Sequence, residues 1–341
     1  MLRSRISSAL DRVGVLSGML ALRARTPSPW LPILTYHRVA EPKDAAMLDD
    51  GVVDVTPAMF DRHMASLTKW FSVLDLDQVL AFRAGAPLPK NPVLVTFDDG
   101  YRDNYEVALP ILKKYGVKAT FFVATHYIEE RRLFWWDRIN FLLKTTKLPR
   151  VEIAYPARET LHLDSPEATH RSVTRALRIV KDHYALDLER FLGGLAEATG
   201  VTLARDDERR MVDDLMMTWD EVRNLRAAGM DVQSHTSTHR VLQTLPPEKY
   251  AEELGGSKEV LEGVLKERVR TISYPVGKPL EYTPEIRRAV RAAGYELGFS
   301  NATGVNGRWS FDPLDAKRIA VDVDLPDSQF LAMLALPYLA Y

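Results

Sequence analysis

Short runs rich in Val, Ile, Leu and Phe recur along the chain, each followed by a stretch in which apolar residues return every three or four positions. The first pattern is that of a buried strand and the second that of an amphipathic helix, so their alternation predicts repeated strand–helix units. Ile33–Tyr36 opens the series, and a helix follows with Thr56 as cap, Pro57 in the first turn and Phe60, Met64 and Leu67 on one face. A strand over 93–97, a helix over 107–115 closed by Gly116, and a strand over 119–123 form a βαβ unit.

The alternation lapses between about 127 and 215, where helical segments follow one another without clear strand runs, and this stretch is expected to be a helical insertion. Thr218 and Glu221 form a capping box that restarts the pattern. A helix then leads to a strand over 230–233, a helix over 247–266, a strand over 271–274, a helix over 284–293, and strands around 295–299 and 318–321. The fold class that follows is α/β: an incomplete (β/α) barrel of about seven parallel strands, with active residues at the C-terminal strand ends. The expected domain spans 31–325, interrupted by the insertion.

The two ends read differently. Residues 1–30 predict an amphipathic helix, because Asp11, Arg12 and Arg23 interrupt the apolar stretch and no small-residue cleavage site follows it. Residues 326–341 predict an apolar helix too short to span a bilayer, with packing on the core ahead of contact with a membrane surface. A cytoplasmic protein, peripheral to the inner membrane through these two ends, is the expectation.

Composition narrows the chemistry. Lys and Arg total 45 against 46 Asp and Glu, so no global field recruits nucleic acid. The chain has no cysteine, which excludes disulfides and thiol catalysis and leaves His and carboxylate as metal ligands. The strand over 93–97 runs into Asp98, Asp99 and Gly100, two adjacent carboxylates beside a glycine that permits a sharp turn. The strand over 230–233 leads to His235 and His239, which face one point if the segment curls into a helical turn. Two imidazoles and one carboxylate make a facial set for zinc or a similar divalent ion with positions left for water and substrate. One Asp would be the ligand and the other the base for an attacking water. Backbone donors near Tyr101 would assist the oxyanion.

Thr96-Phe97-Asp98-Asp99-Gly100 followed by His235-Thr236-Ser237-Thr238-His239 resembles the polysaccharide deacetylase family of carbohydrate esterases, over residues 31–125 and 219–321. The resemblance implies Asp98 as base and Asp99, His235 and His239 as metal ligands. It implies metal-dependent removal of N-acetyl groups from an amino sugar in a surface polysaccharide or its precursor, with zinc first and Co, Ni or Mn as alternatives. Two departures stand out. Where family members often carry Arg-x-Pro-Tyr, with an Arg that orients the base, this chain has Ser273-Tyr274-Pro275-Val276-Gly277. It is similar there to members with Tyr-Pro-x-Gly, which also carry a Tyr-His near the first strand, as Tyr36-His37 does. The family's C-terminal Leu-x-His acid is absent, which makes His37 the leading acid and His126, also on the rim, the second candidate. Tyr101, Tyr274, Pro275 and His126 are expected on the substrate side.

His63, His162, His170 and His183 are expected at the surface, and Phe134, Trp135 and Trp136 are expected to anchor the insertion rather than stack on sugar. Competing functions are deacylation of a lipid-linked or nucleotide-linked sugar, hydrolysis of a non-sugar amide, and a carbohydrate-binding pseudoenzyme. Against the last stands the presence of both carboxylates and both histidines.

Overall fold

The computed structural model describes residues 14–25, 28–276 and 283–336. The strands that matter here, in chain order, are β1 (Ile33–Tyr36), β2 (Ser72–Leu74), β3 (Pro92–Phe97), β4 (Thr120–Val123), β5 (Asp231–Ser234), β6 (Thr271–Ser273), β7 (Leu297–Thr303) and β8 (Ala316–Ala320). Seven of them close a parallel barrel in the order β1-β3-β4-β5-β6-β7-β8 and back to β1, while β2 pairs outside the ring with the first half of β3. The barrel has one strand fewer than the eight-stranded archetype, yet its hydrogen-bonded ring is closed. All six residues of β3 are buried, as a strand covered on both faces requires, and this explains its continuous apolar run. The three-residue β2 was too short to show a pattern.

Between β7 and β8 the register slips: Phe299 lies opposite Ala316 and Thr303 opposite Arg318, so β7 carries extra residues over that interval. Bulges of this kind re-aim side chains. Here the slip sets Arg318 against Ser300 and Asn301, with Nε on the Ser300 carbonyl and a terminal nitrogen on Asn301 Oδ1.

The insertion is mainly helical, with helices Trp135–Thr145, Pro166–Asp182, Leu188–Thr199 and Arg205–Leu215. It is not wholly helical. An antiparallel hairpin joins Arg150–Ile153 to Glu159–His162. Val151, Ile153 and Leu161 are buried while Arg150, Glu152 and His162 are exposed, a period-two pattern too short and too charged to register in the sequence.

The helix Val15–Arg23 buries Leu16 and Leu20, and the helix Asp327–Ala335 buries Phe330 and Leu334. These two helices pack on each other, and Arg23 donates to the carbonyls of Leu334 and Ala335 at 2.8 and 3.2 Å. The ends expected at 1–13 and 337–341 lie outside the described residues. No helix among the described residues is long and apolar enough to cross a membrane. His63 corrects the sequence expectation: it lies on the buried stripe of the helix Pro57–Trp70 with Phe60, Met64 and Leu67, is 1% exposed, and accepts from or donates to Tyr36 Oη at 3.2 Å. His162, His170 and His183 are exposed.

Candidate active site

The ends of β3 and β5 bring the site together. After Phe97 the chain continues the ladder for one residue, Asp98 N–H donating to the Tyr36 carbonyl at 2.9 Å, and then turns. Asp99 sits at φ 77° and Gly100 at φ 97°, and a Cβ on Gly100 would meet Val123 Cγ1 at 3.1 Å. The turn therefore needs glycine at 100 and holds Asp99 at a positive φ that is uncommon for side-chain-bearing residues, though Asp is among those that tolerate it.

The segment after β5 does not form the expected helical turn. Thr236 and His239 both have positive φ, 65° and 51°, and the bend is closed by the His239 amide donating to Thr236 Oγ1 at 3.2 Å. Glu253 braces it from outside, accepting from the amides of Ser237 and Thr238 and from the Thr238 hydroxyl. Glu253 lies in a π-helical turn, Ala251–Gly256, that breaks the helix expected over 247–266. The Gly255-Gly256 pair weakens the α-helical register there, and π-turns of this kind recur at functional sites.

Asp99, His235 and His239 are all buried, and one ligand atom from each lies within 4.8 Å of the others. His235 Nδ1 is 2.8 Å from the Ser273 carbonyl. A carbonyl can only accept, so Nδ1 carries a proton and Nε2 is the ring nitrogen turned towards the carboxylates. That Nε2 is 3.4 Å from Asp99 Oδ1, and His239 Nε2 is 3.3 Å from the same oxygen. Burial, then His235, depresses the His239 pKa to about 3, so its ring is neutral at pH 7. Asp99 Oδ1 is buried and has no hydrogen-bond partner. Three ligand atoms thus converge on a buried point where Asp99 Oδ1 has no hydrogen-bond partner, and this donor set fits a divalent cation.

Asp98 occupies the other side. It is fully buried, its Oδ2 3.7 Å from His235 Nε2. The sequence left it without an orienting arginine, and the structure supplies one from β8. Arg318, also fully buried, donates to Asp98 Oδ1 at 2.8 Å and Oδ2 at 2.6 Å, while Ser273 Oγ donates to Oδ2 at 3.0 Å. Burial alone would raise the Asp98 pKa; the guanidinium outweighs it and holds the carboxyl well below the usual carboxylate range. The signal that could have found Arg318 was its place in the alternation of Ala316–Ala320, where the adjacent Lys317 faces out and Arg318 shares the buried side.

Asp99, His235 and His239 face a cavity of about 210 Å³ whose walls also include His37, Trp135 and Trp136, with Asp98 buried immediately behind them. His37 reaches it from the end of β1. Its Nδ1 is 3.0 Å from Asp54 Oδ2, and its amide bonds the same oxygen. Burial lowers the His37 pKa, but Asp54 and then the site carboxylates prevail and raise it to about 10. Asp54, in a short strand, Val53–Val55, gave no sequence signal. Trp135 and Trp136 are almost fully buried, so the anchoring expectation describes them; they also line the cavity, and the Trp136 ring centroid lies 4.4 Å from that of His239.

The other expected substrate contacts lie elsewhere. Tyr101 is fully buried behind Trp136, which donates to its hydroxyl at 2.8 Å, and that hydroxyl donates to Asp137. Its side chain does not line the cavity. Its backbone pairs with Met216 through the Gly100 carbonyl and the Arg102 amide, bonds that do not use the Tyr101 amide. Tyr274 points into the core, its hydroxyl on the Leu314 carbonyl and its ring in space that any side chain at Gly298 would fill. Pro275 is buried beside it, and the neighbouring Val276 lines the cavity instead. His126 is on the rim, but the helix Thr125–Glu130 starts at once and carries it into a separate cleft beyond Trp135. Lys181, Asp49 and Asn301 line the cavity and were not anticipated.

Comparisons with known proteins agree with this architecture. The chain is 24% identical over 284 residues to YxkH of Bacillus subtilis strain 168, whose name assigns it to the polysaccharide deacetylases; the match covers 82% of this chain and 67% of that one. A poly-beta-1,6-N-acetyl-D-glucosamine N-deacetylase of Staphylococcus aureus is 37% identical over 119 residues, 31% of this chain and 40% of its own length. Among solved structures, the Streptococcus pyogenes deacetylase PplD, in complex with acetate, superposes with a TM-score of 0.59 at 22% identity, covering 91% of this chain and 99% of that one, which shows a shared fold. The family model for polysaccharide deacetylase matches residues 85–298, more than half of the chain and a span that holds Asp98, Asp99, His235 and His239. The chain therefore belongs to the polysaccharide deacetylase family.

Proposed function

We propose that this protein hydrolyses N-acetyl groups of an amino sugar in a surface polysaccharide or its precursor, with a divalent cation, zinc first, held by Asp99, His235 and His239. The observation that carries this is the convergence of three buried ligand atoms beside a second, ionised carboxylate. A divalent cation there would polarise the acetyl carbonyl and acidify a water. Asp98, kept as carboxylate by Arg318 and Ser273, accepts the proton of the attacking water. The Tyr101 amide donates to the oxyanion. The amine then leaves only if protonated, and His37, held as imidazolium by Asp54, supplies that proton as the carbon–nitrogen bond breaks. The name of the staphylococcal relative supports a poly-N-acetylglucosamine-type substrate.

Acetate release from N-acetylated oligosaccharides tests this directly. Chelation should abolish it and zinc restore it; His235→Ala or His239→Ala should lose the metal, whereas Asp98→Asn should keep it and lose about 10²–10⁴-fold in turnover. Unchanged metal stoichiometry in both histidine variants would remove the site. His37→Ala should retain metal and lose far more on amides than on an activated aryl acetate, whose leaving group needs no acid. Equal losses on both would assign His37 to positioning.

A further inference from the structure

The site cavity shares four wall residues, Asp49, Gly51, Val52 and Lys181, with a much larger cleft of about 1060 Å³. Ligand pockets commonly measure about 300–1,000 Å³. At about 210 Å³ the site cavity falls below that range and takes the reacting group with little else, so a larger substrate must continue into adjoining space. The cleft runs between the loop 42–52 and the insertion helix Pro166–Asp182.

Its walls are held in place. Asp137 accepts from the Asp49 amide at 2.9 Å, and Lys144 donates to the Leu48 carbonyl at 2.6 Å, so the helix Trp135–Thr145 pins the loop. On the opposite wall the helix lines the cleft with Thr169, His170 and Thr174, of which His170 and Thr174 are exposed, together with the more buried Val173 and Leu177, so hydroxyl and imidazole groups stand beside apolar ones. That combination suits pyranose rings, which present hydroxyl edges and C–H faces. The walls carry Lys43, Lys144 and Lys181 against Asp49, Asp50 and Asp164, so no net field favours a polyanion or a nucleotide diphosphate.

We infer that this cleft binds the sugars flanking the one that reacts, so that the insertion selects a neutral glycan chain over a single or nucleotide-linked sugar. This rests on the function proposed above. Thr174 is exposed, so Thr174→Trp fills the cleft without touching the core. The probes are N-acetylglucosamine and its β-1,6- and β-1,4-linked tetramers. In the zinc-loaded wild type, kcat/KM for one tetramer should exceed that for the monomer by about tenfold or more, equivalent to ~1.4 kcal/mol. Thr174→Trp should lose that gain and leave the monomer and an aryl acetate within about twofold, and calorimetric titration on an Asp98→Asn background should show the same tenfold loss of tetramer affinity. Equal efficiency at every length, or a variant that keeps the gain, overturns the cleft alone. A protein that cleaves the aryl acetate but deacetylates none of the sugars overturns the proposed function, and the cleft with it.

Discussion

Arg318 and Asp98 are both without solvent exposure, and their pairing is bidentate. A buried pair gains little over an apolar pair, but removing one partner strands a charge and costs about 3–5 kcal/mol. Arg318→Met should therefore lower the unfolding free energy by that order in urea denaturation, and also remove most acetate release. Arg318→Lys keeps the charge, but a compact ammonium cannot span both carboxylate oxygens, so activity should still fall by about tenfold or more. The pH dependence has a definite sign. Asp98 has its folded pKa depressed, so its contribution to stability is present above the unfolded value of about 3.9 and is lost only as pH falls below the ordinary carboxylate range. Wild-type stability should show no Asp98 transition between pH 5 and 8. In Arg318→Met burial loses its main opponent, with His235 and His37 still acting against it, so the carboxyl pKa rises and an acid limb should enter the activity profile. An unchanged profile in that variant would mean that Asp98 is not held by the arginine.

At the scale of the element, the end of β3 was legible because that strand is buried throughout and its apolar run stops abruptly at Asp98. By contrast β5, Asp231-Val232-Gln233-Ser234, carries a weaker pattern and was marked mainly by the glycine before it and the histidines after it. What those ends hold was legible only in part. His37, Asp98, Asp99, His235 and His239 stand next to their strands in sequence, whereas Arg318 acts on Asp98, Asp54 on His37 and Glu253 on the bend before His239 from distant parts of the chain, and no local pattern links the partners. His126 shows the opposite failure, since a strand-end position was right but an immediate helix turned the ring away. Tyr274 failed because Gly298, on the adjacent strand, opens a slot in the core that no reading of 273–277 could reveal. The turn at Asp99-Gly100 is the most demanding of these elements. Gly100→Ala must place a Cβ at φ 97° and 3.1 Å from Val123 Cγ1. Backbone strain of about 1–2 kcal/mol and a comparable overpacking cost should lower stability by roughly 2–4 kcal/mol. Because Asp99 is the preceding residue, calorimetric zinc titration should also show weaker binding. Wild-type zinc affinity in the variant would mean that the turn does not set the ligand geometry.

Across the whole molecule, the two ends of the described chain close over one side of the barrel, and His63 lies under the clasp. Its ring stacks on Phe330 with centroids 3.8 Å apart and planes within 1°, Nδ1 meets the Tyr36 hydroxyl, and Nε2 is buried without a partner. Of the apolar ends, Leu16, Leu20, Phe330 and Leu334 are at or near zero exposure in this packing, whereas Val15 and Leu22 stay exposed. Phe330→Ala should then cost about 3–5 kcal/mol in urea denaturation, the range for a large buried aromatic. The histidine adds a pH signature that a generic cavity would not. Burial depresses its pKa to about 4, opposed weakly by Asp327 and reinforced by Arg62. With the folded value below the unfolded value of about 6.5, the unfolded chain binds the extra proton. Stability from this group is complete above about pH 6.5 and declines as pH falls from there towards 4, by up to ~1.4 kcal/mol per pH unit. His63→Leu, which keeps the stripe apolar and cannot ionise, should flatten that slope relative to wild type between pH 6.5 and 5. Parallel slopes in the two proteins would show that the C-terminal helix releases His63 to solvent before the barrel unfolds.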